Sequence, residues 1–296
     1  MTVGVARRVL TGLVASAVTA VVRGAFDHQA PGGQARWTRT NHRGEPISLL
    51  EGPAVAAGLL AAGLVGAPSP RAAVALTLAT GSGAAFGLVD DLGEDSSSRR
   101  KGLRGHLGAL ARGELTTGGL KVLGIGGGAL VAAAVATPVH RADGTRRSTV
   151  GWLADVVASG ALIASSANLV NLLDLRPGRA LKAATLVAAP LALGPGGGAG
   201  AGASVLGAVG AAMDQDLAEA DMLGDGGANA LGATLGTAVV LSTPRPVRLA
   251  CLAVVVGLTV ASEKISFTQV IERTPVLRDI DGWGRRPVDP PADRSG

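Results

Sequence analysis

The chain has 296 residues, of which 47% are hydrophobic and 17% are charged, and its formal net charge is +5. The high apolar content excludes a disordered chain, and the single cysteine, Cys251, excludes a disulfide scaffold and a cysteine-based zinc module. Charged residues make up about 25% of ordinary soluble domains, so this chain is short of polar surface. Basic loops beside anionic lipids account for the positive charge without a nucleic acid partner.

Long apolar segments follow one another along most of the chain. A bilayer core needs roughly 17–25 apolar residues per helix, and nine segments approach this length. In chain order they are residues 9–22, 47–66, 71–89, 118–138, 149–167, 180–194, 199–213, 226–242 and 247–262. A soluble amphipathic helix places a charge every few residues, whereas Val122 to Val139 contains none. The sequence predicts an all-α fold, a polytopic integral membrane bundle of about nine helices.

Basic residues predict the orientation of this bundle. Most of the 27 Lys and Arg residues follow the first, third, fifth, seventh and ninth segments. Because cytoplasmic loops carry an excess of Lys and Arg, these loops are predicted to face the cytoplasm. The Ala and Gly bias suits a GC-rich bacterial genome, so the predicted location is a bacterial plasma membrane. The loop after the fourth segment is an exception, because it carries Arg141, Arg146 and Arg147 on the side predicted to be outside.

The chain divides into three predicted parts. Residues 1–265 form the transmembrane domain. Apolar residues at helical spacing over residues 266–284 predict an amphipathic segment on the cytoplasmic membrane surface. The Pro-rich polar residues 285–296 predict a disordered tail.

Acidic and amide side chains collect at the predicted cytoplasmic helix ends. They are Asp90 and Asp91 after the third segment, Asn168, Asn171 and Asp174 after the fifth, and Asp214, Asp216, Glu219, Asp221 and Asp225 after the seventh. Each cluster alone also fits a structural role, as a solvated helix end, an amide contact between helices or a Gly-rich turn. Adjacent acids repel unless a cation or a proton neutralises them, and oxygen ligands suit Mg²⁺. Since all three clusters lie on one side, we expect one polar site there.

Three motifs within these clusters are in register with a known family. Residues 87–91 read Gly-x-x-Asp-Asp, residues 168–174 read Asn-x-x-Asn-x-x-Asp, and residues 224–232 read Gly-Asp-x-Gly-Ala-x-x-Leu-Gly. In order, spacing and side of the membrane, the chain resembles the polyprenyl-phosphate phospho-sugar transferases (glycosyltransferase family 4) over roughly residues 36–242. That family includes the phospho-N-acetylmuramoyl-pentapeptide transferase and the N-acetylglucosamine-1-phosphate transferases.

The resemblance implies transfer of a sugar-1-phosphate from a UDP-sugar to polyprenyl phosphate in cell-envelope synthesis, with Mg²⁺ as cofactor. Asp90 and Asp91 would be catalytic, and Asp91 and Asp225 would hold the metal. The expected substrate-binding residues are Asn168, Asn171, Asp174, Lys101, Lys121 and His42. The expected partners are the lipid, the nucleotide sugar and the membrane, with a homodimer as an open option.

Departures from the family pattern keep other functions open. Pro177 stands where relatives have a second acid, and residues 262–267 stand where a His-rich loop is expected. These departures favour a catalytically inactive homologue that binds polyprenyl phosphate or an envelope-assembly partner. An unrelated transporter would place charges at mid-membrane depth, whereas the acids here lie at helix ends.

Overall fold

The protein is a bundle of helices. A computed structural model describes residues 3–93, 117–140 and 143–287. Within these ranges the helices are α1 (Val5–His28), α2 (Glu51–Gly66), α3 (Pro70–Gly93), α4 (Thr117–Ala136), α5 (Thr149–Leu173), α6 (Arg179–Leu193), α7 (Ala199–Leu217), α8 (Gly224–Ser242), α9 (Arg245–Ser262), α10 (Phe267–Arg273) and α11 (Pro275–Gly282). Each of the nine predicted apolar segments overlaps one of the nine long helices, which confirms the all-α prediction.

Five of the described helices are long and apolar enough to cross a bilayer: α1, α3, α4, α5 and α9. The helix α2 is apolar but has only 16 residues, which span about 24 Å at 1.5 Å per residue. None of the residues of α9 is buried, and Val254 and Val260 are 61% and 58% exposed. The helix α9 packs against α5, and an apolar helix that leaves most of its surface uncovered is typical of a membrane helix in contact with lipid. The fold is therefore a helical membrane bundle, in which length and composition support five of the nine predicted spans.

The helix α8 lies at the centre of the bundle and is almost entirely buried. Its small side chains allow neighbouring helices to approach closely. On α3, Gly83 and Gly87 lie one turn apart on the contact face. A Cβ atom at Gly83 would lie 2.7 Å from the carbonyl oxygen of Asn229, and one at Gly87 would overlap the carbonyl of Asp225. Glycine at these positions therefore brings the end of α3 beside the start of α8.

We expect Gly87→Val to lower the free energy of unfolding by about 3 kcal/mol, the upper part of the range for overpacked contacts. The clash is with the backbone of α8, which cannot rotate away as a side chain can. Gly127→Val is the matched control, because a Cβ atom at Gly127 meets nothing within 4 Å. Denaturant unfolding in detergent would measure both variants, and equal losses would contradict this account of the α3–α8 contact.

The loops after α1, α5 and α7 meet at one end of the bundle, beside the end of α3. The first of them contains a 3-10 turn (Gln34–Arg36) and an antiparallel hairpin of β1 (Thr38–Thr40) and β2 (Pro46–Ser48), the only sheet among the described residues. The carbonyl of Ser48 accepts the N–H of Met222 at 2.9 Å, which joins the hairpin to the loop before α8. Because β2 uses the first residues of the second predicted segment, α2 begins later than predicted.

The predicted amphipathic segment 266–284 consists of two short helices. Its helix α10 ends at Arg273, and Pro275 begins α11, where the missing N–H of proline is tolerated. The carboxylate of Asp281 accepts two hydrogen bonds from Arg179 on α6, at 2.8 and 3.0 Å. The segment is thus attached to the bundle by a buried ion pair.

The first residues of the tail predicted over residues 285–296 make hydrogen bonds with the bundle. Arg285 donates a hydrogen bond to the carbonyl of Pro177 at 2.8 Å, and Arg286 donates to Glu45 at 2.7 Å. Their guanidinium groups find acceptors that sequence composition does not reveal. Residues 288–296 lie outside the described part of the chain.

Candidate functional site

Two acids from different helices meet where α3 ends and α8 begins. The two carboxylate oxygens of Asp91 accept the backbone N–H groups of Asp225 at 2.9 Å and Gly226 at 2.8 Å. The first N–H groups of a helix have no partner within the helix, and the helix dipole favours a carboxylate there. The structure therefore brings Asp91 and Asp225 together, as the sequence predicts, with Asp91 acting as a cap of α8.

The ammonium group of Lys121 lies between Asp90 and Asp225. Lys121, near the start of α4, places Nζ 3.3 Å from Asp90 Oδ2 and donates a hydrogen bond to Asp225 Oδ2. Its side chain is only 15% exposed, and electrostatic attraction is stronger there than in bulk water. The sequence predicts a phosphate contact for Lys121, whereas in the structure it neutralises two carboxylates.

Part of the predicted donor set fits Mg²⁺. This ion takes oxygen ligands, and oxygens of Asp90 and Asp225 converge on one cation, the ammonium of Lys121. Asp91 fits less well, because both of its oxygens already accept backbone N–H groups. Among the described residues no group of three or more His, Cys, Asp or Glu side chains is arranged to hold a metal ion. The geometry thus favours Asp90 with Asp225 over the predicted pair of Asp91 with Asp225.

A largely apolar cavity of about 210 Å³ opens beside Lys121. It is lined by Lys121, Val122, Ile125, Gly126, Ala164, Ser165, Asn168, Asn229 and Thr259, from α4, α5, α8 and α9. Two predicted substrate-binding residues, Lys121 and Asn168, share it. An apolar pocket with a few polar groups at one end suits a ligand with a charged head and an apolar body.

A second cavity, of about 230 Å³, collects most of the remaining acids. It is lined by Thr40, Asn41, His42, Ile47, Asp174, Leu175, Arg176, Pro177, Asp216, Glu219, Asp221 and Met222. Two further predicted substrate-binding residues, His42 and Asp174, therefore face the same space. The Nδ1 atom of His42 lies 3.6 Å from Glu219 Oε2, which gives this histidine an acidic partner.

The acids beside Lys121 influence the pKa of an acid in the second cavity. Burial raises the pKa of Asp174 well above its ordinary value, and the charges of Asp216 and Asp225 raise it further, whereas the N–H of Gly224 opposes the shift. Asp174 therefore keeps its proton to a higher pH than an exposed aspartate, and a protonated carboxyl can donate a hydrogen bond.

Of the two remaining predicted substrate-binding residues, the structure describes only Asn171. Asn171 is half-buried and lines neither cavity. Lys101 lies outside the described residues. The prediction of a substrate contact therefore stays untested for both residues.

Sequence analysis missed the ion pairs that position the first loop. Arg23 donates to both oxygens of Asp221, at 2.7 and 2.9 Å, and Arg43 donates to Glu219 at 3.0 Å. Both acids are buried, so each needs a cation beside it. The sequence could have indicated these pairs, because the first and seventh loops carry opposite charges and are predicted to lie on the same side of the membrane.

The sequence did not indicate that Glu51 is buried. Its side chain is 2% exposed, and neither carboxylate oxygen has a hydrogen-bond partner.

The site thus combines an acid-bound ammonium, an apolar cavity beside it and an acidic cavity next to both. Its two cavities hold four of the predicted substrate-binding residues: Lys121, Asn168, His42 and Asp174. No protein-family model and no curated protein sequence matches this chain.

Proposed function

We propose that the protein transfers a sugar-1-phosphate from a UDP-sugar to polyprenyl phosphate. The observation that carries the proposal is the meeting of three motif regions around Lys121, at the mouth of an apolar cavity. Both substrates are polyanions, so the reaction needs charge neutralisation and positioning above all. The positive-inside pattern of the loops supports a site at the cytoplasmic face of a bacterial plasma membrane.

The cavity beside Lys121 is the proposed place of the polyprenyl phosphate. The Lys121 ammonium would pair with the lipid phosphate by charge-assisted hydrogen bonds, and the apolar walls would receive the start of the prenyl chain. The side-chain amide of Asn168 would orient the same phosphate. The nucleotide sugar would then enter from the second cavity, past His42 and Asp174.

Mg²⁺ would be held by Asp90 and Asp225, where it would neutralise the diphosphate and polarise its phosphorus–oxygen bonds. The residues of this chain have separate tasks. Asp91 holds the first turn of α8 so that Asp225 keeps its position. Lys121 is released from the carboxylates to pair with phosphate, and Asp174 donates a hydrogen bond to the sugar nucleotide.

A second candidate is a homologue that binds polyprenyl phosphate without turnover. The ammonium of Lys121 already satisfies Asp90 and Asp225 without a metal ion. Arg285 also covers Pro177, where relatives have a second acid. Lipid-phosphate binding would survive both features.

Release of UMP from radiolabelled UDP-sugars, with Mg²⁺ and polyprenyl phosphate, tests the proposal in purified protein. We expect release with at least one donor, reduced at least about a hundredfold in Asp225→Asn, because the charge that holds the cation is lost. Asp279→Asn makes the same acid-to-amide change at a side chain that is 71% exposed and should keep full activity. No release with any donor, together with retained lipid-phosphate binding, would reject the transferase in favour of the second candidate.

A further inference from the structure

Several arginines lie at the end of the bundle opposite Asp90 and Asp225, against the positive-inside pattern. Three of them cap helices. Arg7 donates to the carbonyls of Val65 and Ala67 at 2.7 and 2.8 Å, Arg8 donates to Ala192 at 2.9 Å, and Arg71 donates to Val135 and Thr137. The carbonyls at a helix C-terminus lack partners and attract cations. Capping therefore explains these three arginines without any ligand.

Three other arginines at this end gather around one acid. Asp155, which is 2% exposed, accepts a hydrogen bond from Arg147, and its Oδ1 lies 3.2 Å from Nε of Arg245 without hydrogen-bond alignment. Arg248 donates to Ser159 Oγ at 3.0 Å. Two guanidinium groups thus contact the Asp155 carboxylate, and the third lies near enough to interact with its charge. The three arginines and the one acid together carry a net charge of +2.

This arginine cluster has unused hydrogen-bonding groups. The Nε atoms of Arg147 and Arg248 are buried and have no hydrogen-bond partner, and the same is true of Asp155 Oδ1. An unmade hydrogen bond at a buried polar atom is costly. A phosphate oxygen is the group that guanidinium donors recognise best, often through two hydrogen bonds at once.

An apolar groove runs beside the cluster along α5 and α9. It has a volume of about 580 Å³ and is lined by Val150, Leu153, Ala154, Val157, Ala158, Ala161 and Leu252. Leu252 lies one helical turn from Arg248, so the groove starts next to the guanidinium groups. Val150 and Val157 are 79% and 58% exposed, as expected for residues that contact acyl chains.

We propose that Arg147, Arg245 and Arg248 bind the phosphate of an anionic phospholipid whose acyl chain lies in this groove. The occupant is assigned by charge and polarity: the excess positive charge needs an anion, and the continuous apolar wall needs a chain attached to it. The site is independent of the proposed transferase reaction, since it lies at the other end of the bundle.

Native mass spectrometry of the detergent-solubilised protein tests the proposal, with phosphatidylglycerol compared with phosphatidylcholine. We expect tighter retention of phosphatidylglycerol, weakened about tenfold in Arg248→Gln, because hydrogen bonds to a charged phosphate are lost. Arg146→Gln is the matched control, since it removes the same charge from an exposed side chain in the neighbouring loop. Equal retention of both lipids by the natural chain, or an equal loss in Arg146→Gln, would overturn the proposal.

Two further measurements separate the headgroup from the groove. Ala154→Phe fills the groove at an exposed position and should weaken phosphatidylglycerol retention while the three arginines stay in place. Millimolar inorganic phosphate should displace the lipid poorly, and displacement as effective as that by free phosphatidylglycerol would reject a lipid site in favour of a simple anion site. The thermal unfolding midpoint of each variant shows whether the variant is folded. If Arg248→Gln does not fold, Ala154→Phe still tests the groove, because it keeps the ion pairs.

Discussion

Replacing Lys121 with glutamine is expected to lower the free energy of unfolding by about 3–5 kcal/mol, the usual cost of removing one partner of a buried ion pair. Asp90 and Asp225 would both lose their cation, and Asp91 lies beside them. The same change should reduce UMP release at least about a hundredfold, because the phosphate would lose its ammonium partner. Denaturant unfolding and the UMP assay measure the two effects separately.

Magnesium should partly reverse the loss of stability in Lys121→Gln. If Asp90 and Asp225 bind Mg²⁺, millimolar MgCl₂ without substrate should raise the unfolding midpoint of the variant more than that of the natural chain, because Lys121 competes for the same oxygens. Lys264→Gln, which removes an exposed lysine, should behave like the natural chain. An equal response to MgCl₂ in all three proteins would exclude this two-carboxylate site.

Asp281→Asn is expected to release the C-terminal helices α10 and α11 from the bundle. The carboxylate is the only acid that the structure shows in contact with Arg179, whose side chain is 5% exposed, so its loss should cost about 3 kcal/mol. Hydrogen exchange over residues 266–287 should become much faster, while exchange in α8 should stay slow. Asp279→Asn should leave exchange unchanged, and unchanged exchange in Asp281→Asn would show that the ion pair does not hold the segment.

The attachment of this segment should also depend on pH. Burial tends to raise the pKa of Asp281, but the hydrogen bonds and charges of Arg179 and Arg285 outweigh it, so the pKa lies below its ordinary value of 3.8. A lowered pKa in the folded state gives stability that is complete above the ordinary value and is lost as pH falls through the lower one. We therefore expect protection of residues 266–287 to decrease below about pH 3.8 in the natural chain, with a smaller pH dependence in Asp281→Asn.

Apolar segment length predicts the helices well, because a membrane helix satisfies its own backbone hydrogen bonds. It does not by itself identify the spans, since α7 and α8 have 19 residues each, one more than α9, but are not among the five helices whose length and composition suit a bilayer. The hairpin of β1 and β2 was missed because its strands have three residues each, too few for a visible alternation. The break at Pro275 divides a segment whose apolar spacing continues on both sides.

The predicted side of the membrane was enough to predict that Asp91 and Asp225 meet, because both residues lie at helix ends on the same side. It could not distinguish a metal ligand from a helix cap, since that difference depends on where the first N–H groups of α8 point. The role of Lys121 was equally hidden: its reach to Asp90 and Asp225 depends on the packing of α4 against α3. The spacing of residues along the sequence does not predict such contacts between distant segments.

The capping contact of Asp91 constrains how the site can open. Because this carboxylate holds the first turn of α8 to the last turn of α3, Asp90 and Asp225 are joined into one rigid wall. The opposite wall is α4, which packs against α3 and reaches the two carboxylates through Lys121. If the proposed transfer takes place here, entry of a diphosphate would therefore displace the Lys121 side chain and leave the spacing of the two carboxylates unchanged.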